Sequence, residues 1–208
     1  MRTRVKICGF TRVEDAVHAA HAGVDAIGLV FYPPSPRHVA IHQALQIVRA
    51  LPAFVSVVAL FVDAPETSIR EVLRQLPIDC LQFHGNESAE ACRMYNTRYI
   101  KAVSMQADTD ISALATHYHD ATGLLLDTYH PAAKGGTGHQ FDWSLIPKQH
   151  PLPIILAGGL DSTNARLAIQ TVKPYALDAS SGVESAKGIK DPLKVSAFLQ
   201  AINYGDKS

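Results

Sequence analysis

A cysteine, an aspartate, an arginine and two late glycine clusters stand where they could do chemistry. Cys8 closes a short apolar run in Lys6-Ile7-Cys8-Gly9, and the alternation of an extended strand puts Lys6 and Cys8 on one face. A lone cysteine is most often a small hydrophobe. One at the carboxyl end of a strand, with glycine opening the next loop, is placed to act as a nucleophile or a base. Asp127 follows Leu124-Leu125-Leu126, where partial desolvation suits a carboxyl group to general acid work. The competing role, an N-cap, is weakened because the Gly-rich stretch 128–140 separates it from any helical pattern. Arg37 ends the stiff segment Tyr32-Pro33-Pro34-Ser35-Pro36 and could hold a guanidinium over a carboxylate or phosphate, against the alternative of a solvated loop arginine. His84, in Gln82-Phe83-His84-Gly85, is either a ligand contact or a satisfied polar group.

The glycine clusters are Ala157-Gly158-Gly159-Leu160 and Ser180-Ser181-Gly182-Val183. Each alone reads equally as a tight turn or as a place where backbone N–H groups approach an anion. At adjacent strand ends the pair favours phosphate, and neither has the spacing of a P-loop or a dinucleotide turn. The remaining histidines do not gather. His18 with His21 and His117 with His119 lack a supporting carboxylate pattern, so the sequence offers no metal site.

These residues need elements to position them. Apolar, β-branched runs recur at 5–8, 26–31, 56–61, 78–83, 99–103, 123–127, 154–157 and 176–180, as parallel strands covered on both faces do. Helical stripes lie between them. The first has Thr11 and Glu14 as a capping box, Val13, Ala16, Val17 and Ala20 on one face, and a stop at Gly23. Others follow Pro65, Ser162 and the Asp191-Pro192 start, while 104–122 carries the weakest pattern. Eight strand-helix units in 208 residues leave 26 residues each, close to the minimum for a right-handed crossover. An open doubly wound sheet would gather its polar residues at one switch point, whereas here they follow six different strands. That favours an α/β fold in which one domain, residues 1–208, is a (β/α)8 TIM barrel.

Composition agrees. The chain has 19 Lys+Arg and 19 Asp+Glu, which removes the basic footprint of a nucleic-acid or membrane-surface binder. Cys8, Cys80 and Cys92 cannot all pair, and Met1 to Lys6 carries no signal-peptide stretch, so a reducing cytoplasmic setting is expected. The longest apolar run, 54–62, is far too short to cross a bilayer. The expected partner is a small, partly polar molecule.

Taken in order, Lys6-Ile7-Cys8-Gly9, Ser35-Pro36-Arg37, Gln82-Phe83-His84-Gly85, Leu126-Asp127, Gly135-Gly136-Thr137-Gly138 with Phe141-Asp142-Trp143, Leu156-Ala157-Gly158-Gly159-Leu160 and Asp178-Ala179-Ser180-Ser181-Gly182-Val183-Glu184 resemble the phosphoribosylanthranilate isomerases of tryptophan biosynthesis. The match runs the length of the chain, departing only at Phe83, where leucine is more usual. The resemblance implies a cofactor-free Amadori rearrangement of N-(5-phosphoribosyl)anthranilate. In it Asp127 protonates the ring oxygen, Cys8 removes the C2 proton and Arg37 holds the anthranilate carboxylate. Gly136, Gly158, Gly159, Ser180, Ser181 and Gly182 would surround the phosphate. From its place after the fourth strand His84 is counted among the substrate contacts, and the protein is expected to be either a monomer or a homodimer.

Two other readings stand beside it: a Schiff-base aldolase using Lys6 or Lys101, and a non-catalytic phosphosugar-binding barrel. The isomerase reading carries further geometric expectations. Lys6 and Asp178, two residues before Cys8 and Ser180, should form a buried ion pair. Lys6 should favour the Cys8 thiolate. Cys8 and Asp127 should face each other across a sugar-sized gap. The 128–140 segment and the Phe10-Thr11 loop should act as mobile covers.

Overall fold

The computed structural model describes residues 2–128 and 140–206. Eight parallel strands close into a barrel in sequence order, each pairing with the next and the first with the last. They are β1 (Arg4–Cys8), β2 (Ala26–Val30), β3 (Ser56–Phe61), β4 (Cys80–Phe83), β5 (Tyr99–Met105), β6 (Gly123–Thr128), β7 (Ile154–Leu156) and β8 (Ala176–Ala179). Between them run α1 (Val13–Ala22), α2 (Ile41–Ala50), α3 (Glu66–Gln75), α4 (Ala89–Arg93), α5 (Ile111–His117) and α6 (Ala165–Val172), with α7 (Pro192–Gly205) after β8. The expected alternation fails once. Among the described residues, the connection from β6 to β7 holds only a three-residue 3-10 turn, Trp143–Leu145.

Side-chain alternation sorts the strand residues into two cores. Ile7, Ile27, Leu29, Ala59, Leu81, Leu124, Leu126, Leu156 and Leu177 point outward and pack in one cluster with the helices. Val58, Ile100, Ala102, Leu125, Ile155, Ala157 and Ala176 fill the inside, and above them Cys8, Val30, Leu60 and Val62 form a further apolar group. Lys101 is buried on the outward side. Its Nζ donates to Gly85 O at 2.7 Å and pairs with Glu87 at 3.2 Å, which removes it from any Schiff-base role inside the barrel.

The helix ends follow the sequence in part. Gly23 closes α1 in the left-handed conformation at φ 105°, and Asp191 caps α7 by accepting from Leu193 N and Lys194 N. The capping box at Thr11 and Glu14 does not form. Helix α1 starts one residue later than the box requires, with Arg12 as its N-cap and no side-chain cap bond. The Thr11 hydroxyl instead donates to Gly188 O at 2.5 Å, so a tertiary partner displaces the local one.

Two connections at the amino end of the barrel share a device. Asp25 N donates to Val5 O while Asp25 Oδ2 accepts from Val5 N at 2.8 Å, and Asp79 makes the same reciprocal pair with Val57. Each aspartate extends a strand ladder by one residue. Nearby, the loop before β3 carries Phe54, which is 102% exposed with a left-handed φ of 70°. It borders a barrel-floor cavity of about 330 Å³ lined chiefly by Val5, Ala26, Val58, Ile100, Ile155 and Tyr175.

At the opposite end the chain makes an unforeseen hairpin after β8. A 3-10 turn (Ser181–Val183) leads into β9 (Glu184–Ala186), which pairs antiparallel with β10 (Ile189–Lys190).

Candidate active site

The carboxyl ends of the strands enclose a cavity of about 60 Å³ lined by Cys8, Arg37, Gln82, His84, Asp127, Asp178 and Ser180, with Tyr32, Ser35 and the apolar Val30, Leu60 and Val62. Five residues singled out from sequence therefore meet in one place. They come from β1, the β2 and β4 loops, β6 and the end of β8, which only barrel closure brings together. A roomier groove of about 460 Å³ lies beside it, over α2 and α3, and shares Tyr32 and Val62 with it but includes neither Cys8 nor Asp127.

Lys6 and Asp178 form the expected buried pair. They are register partners on β1 and β8, with Nζ 3.0 Å from both carboxylate oxygens. Burial works against the Lys6 ammonium, but Asp178 and Cys8 more than offset it and hold its pKa above the ordinary value. The thiol responds differently from the expectation. Burial pushes the Cys8 pKa up, Lys6 and Lys190 oppose it, and the net direction remains upward. Glycine at position 28 makes room for this side chain, since a Cβ there would stand 2.7 Å from Cys8 Sγ.

Arg37 does reach the cavity, in a more constrained way than a free loop arginine. Its Nε and Nη2 each donate to Glu184 at 2.8 Å, and its backbone N donates to Ser35 Oγ. Lys190 Nζ donates to the same Glu184 at 2.8 Å and to Cys8 O at 2.6 Å. Burial alone would raise the Glu184 pKa; Arg37 and Lys190 outweigh it and hold the carboxyl below its ordinary range. Burial pulls the Lys190 ammonium down, with Glu184 resisting. Two cations thus share one anion on this side of the mouth. Sequence reading missed Glu184 and Lys190 as functional residues, because nothing local in 184–190 foretells contact with Arg37 or β1.

Asp127 is buried, with Oδ1 accepting from Thr128 N at 2.8 Å and Oδ2 3.3 Å from His84 Nε2. It sits three strands from Cys8 around the ring, through β8 and β7. A smaller hollow of about 40 Å³ adjoins it, lined by Gly158, Gly159, Leu160, Ser180 and Ser181 together with Asp127, Ala157 and Asp178. Gly158 has φ 84°, and any Cβ there would collide with Thr128, so only glycine lets the β7 loop pass so close to β6. Gly182 does not line the hollow and instead packs against Leu160 O. Gly136 lies outside the described residues, as does most of the 128–140 segment expected to cover the site. The other expected cover, the Phe10-Thr11 loop, is packed against its neighbours in this structure. Phe10 is fully buried, Lys190 lies over its ring at 5.6 Å, and Thr11 is tied to Gly188 and to the Gln43 side chain.

Residues 5–201 match the family described as N-(5′-phosphoribosyl)anthranilate (PRA) isomerase. The chain is 54% identical over 205 residues to N-(5′-phosphoribosyl)anthranilate isomerase of Pseudomonas fluorescens, covering 99% of this chain and 98% of that one. A crystal structure of phosphoribosyl anthranilate isomerase in complex with reduced 1-(o-carboxyphenylamino)-1-deoxyribulose 5-phosphate superposes with a TM-score of 0.86 at 37% identity, covering 97% of this chain and 99% of that one. Monomers generated from the dimeric phosphoribosylanthranilate isomerase of Thermotoga maritima give a TM-score of 0.84 at 36% identity, with coverage of 97% and 99%.

Proposed function

The chain belongs to the N-(5′-phosphoribosyl)anthranilate isomerase family, and from that premise we propose that Asp127 and Cys8 are the acid and base of its reaction. The enzyme converts N-(5-phosphoribosyl)anthranilate to 1-(2-carboxyphenylamino)-1-deoxyribulose 5-phosphate, a step of tryptophan biosynthesis. The observation that carries the assignment of roles is the shared cavity of Cys8, Asp127 and Arg37.

In this reading the Asp127 carboxyl gives its proton to the furanose ring oxygen, the bond from that oxygen to C1 breaks, and the nitrogen lone pair closes a protonated Schiff base. The Cys8 thiolate then takes the proton from C2. The freed electron pair forms the C1–C2 double bond and neutralises the nitrogen, and the resulting enolamine tautomerises to the ketone as a proton returns to C1. Acid and base act on opposite sides of one sugar, which suits their supply from strands across the mouth. Arg37, kept in place by Glu184, takes the anthranilate carboxylate. The phosphate sits against the backbone of Gly158, Gly159, Ser180 and Ser181, with Gly182 shaping the turn and His84 beside the sugar, and the family resemblance adds Gly136 to the phosphate contacts. Nothing in this route asks for a cofactor.

The aldolase reading is not favoured. Lys6 is committed to Asp178, and Lys101 lies outside the barrel interior. We read residues 1–208 as one domain, because β1 closes on β8 and Thr3 N donates to Asp206 at the far end of α7. The assembly is read as a homodimer, like the dimeric Thermotoga maritima relative, and three free cysteines suit a reducing cytoplasm.

Purified protein should destroy the fluorescence of phosphoribosylanthranilate. Cys8→Ser and Asp127→Asn should each lower kcat by at least about 10²-fold while retaining affinity for the reduced product. Near-normal turnover by either variant would refute the pair.

A further inference from the structure

One polar side chain that lines the catalytic cavity has no task in the reaction just described. Gln82, on β4, is 1% exposed and lines the cavity, and its Oε1 has no hydrogen-bond partner among the described residues. Its Nε2 lies 3.0 Å from His84 Nδ1, and His84 Nε2 lies 3.3 Å from Asp127 Oδ2. An amide nitrogen only donates, so Nδ1 must accept and the imidazole proton resides on Nε2, aimed at Asp127. The opposite amide orientation would place the proton on Nδ1 and turn the bare Nε2 lone pair onto the Asp127 carboxylate. The observed orientation avoids that repulsion at the cost of leaving the buried Gln82 carbonyl unpaired among the described residues.

We propose that Gln82 is a positioning residue for the isomerase: its amide N–H sets the His84 tautomer that donates to Asp127. The inference rests on Asp127 as the acid. With Oδ1 held by Thr128 N and Oδ2 by His84 Nε2–H, the carboxyl plane is fixed relative to the ring oxygen it must protonate. Fixing that plane acts on kcat. The side chain thus serves the reaction without touching the reacting proton. Glutamine suits the position because it presents a donor and an acceptor on one rigid plane; methionine of similar volume presents neither, and glutamate presents acceptors only.

Nitrogen-15 shifts of the His84 imidazole in the intact enzyme test the tautomer without using activity. The expected wild-type state has Nε2 protonated and Nδ1 bare. In Gln82→Met the two tautomers should mix and kcat should fall about 10-fold or more. Affinity for inorganic phosphate should be unchanged. Gln82→Glu, which keeps the side chain's shape, should move the proton to Nδ1 and lower kcat further, so a folding defect in the methionine variant does not decide the matter. A wild-type His84 protonated on Nδ1, or a tautomer unmoved by either substitution, overturns the proposal whatever turnover does. If Asp127→Asn turns over normally while His84 has the expected tautomer, the acid assignment fails and the Gln82–His84 arrangement stands.

Discussion

Cys8 must lose a proton in an environment that discourages it. Burial raises its pKa, and Lys6 and Lys190 recover only part of the difference. The reacting form carries one proton on Asp127 and none on sulfur, so the same single proton that Cys8 holds at rest is the one the carboxyl must use. Once the pH rises through the Cys8 pKa that proton leaves the pair, and activity falls. Because the folded thiol titrates above its ordinary value, the alkaline limb of kcat/KM should lie above about pH 8.5. A profile measured with phosphoribosylanthranilate checks this: an alkaline fall centred at or below the ordinary thiol range would mean that another group controls it. Lys6 does not reverse the effect of burial because much of its charge is spent on Asp178 at 3.0 Å. Its contribution is to limit how far the thiol pKa rises.

The elements divide into those written locally and those that tertiary contact imposes. All eight strands follow from apolar runs, because a parallel strand covered on both faces needs little else. Cys8, Arg37, His84 and Asp127 were legible for a related reason: each is a polar residue at, or in the loop after, the carboxyl end of such a run. The β9–β10 hairpin was not. Residues 184–190 alternate no apolar pattern, and their importance comes from where Glu184 and Lys190 land, against Arg37 and Cys8 O. The Thr11 capping box failed through the same hairpin, whose Gly188 carbonyl takes the hydroxyl. At the barrel floor, by contrast, Asp25 and Asp79 act within their own connections. Although burial tends to raise the Asp25 pKa, bonds from Arg2, Val5 N and Arg4 hold it below the ordinary value. Its contribution to stability is thus complete above about pH 3.9 and is lost as pH falls through the lower folded pKa. Asp25→Ala and Asp79→Ala should each cost about 1–2 kcal/mol in urea unfolding, and Asp25→Ala should lose less stability than wild type on acidification. Losses of only a few tenths of a kcal/mol would show that the reciprocal pairs add little to the ladder.

At the scale of the whole molecule the two barrel ends have separate tasks. The mouth gathers ionisable groups around a half-open cavity, and the floor presents an apolar knob beside a hollow whose apolar walls are joined by Arg4, Lys6 and Asp25. Phe54 is fully exposed and held at a left-handed φ of 70°, a conformation that costs a bulky residue about 1–3 kcal/mol. A large hydrophobe in that position gains nothing for an isolated barrel. Knob and hollow lie on one face of one chain, so a two-fold axis can place each Phe54 into the floor cavity of the other copy, satisfying both at once in a closed, isologous dimer. The cavity of about 330 Å³, lined by Val5, Ala26, Val58, Ile100 and Ile155, can receive a phenyl ring. Sedimentation velocity at micromolar concentration should therefore give a dimer for the wild type and a monomer for Phe54→Asp, because a carboxylate forfeits the apolar burial that a phenyl ring would gain against Val58, Ile100 and Ile155. Turnover should survive the substitution at low temperature, since Cys8 and Asp127 stand at the other end of the strands, whereas thermal stability should fall with the lost interface. A wild-type protein that sediments as a monomer at these concentrations, or a Phe54→Asp variant that remains dimeric, would remove Phe54 from the assembly.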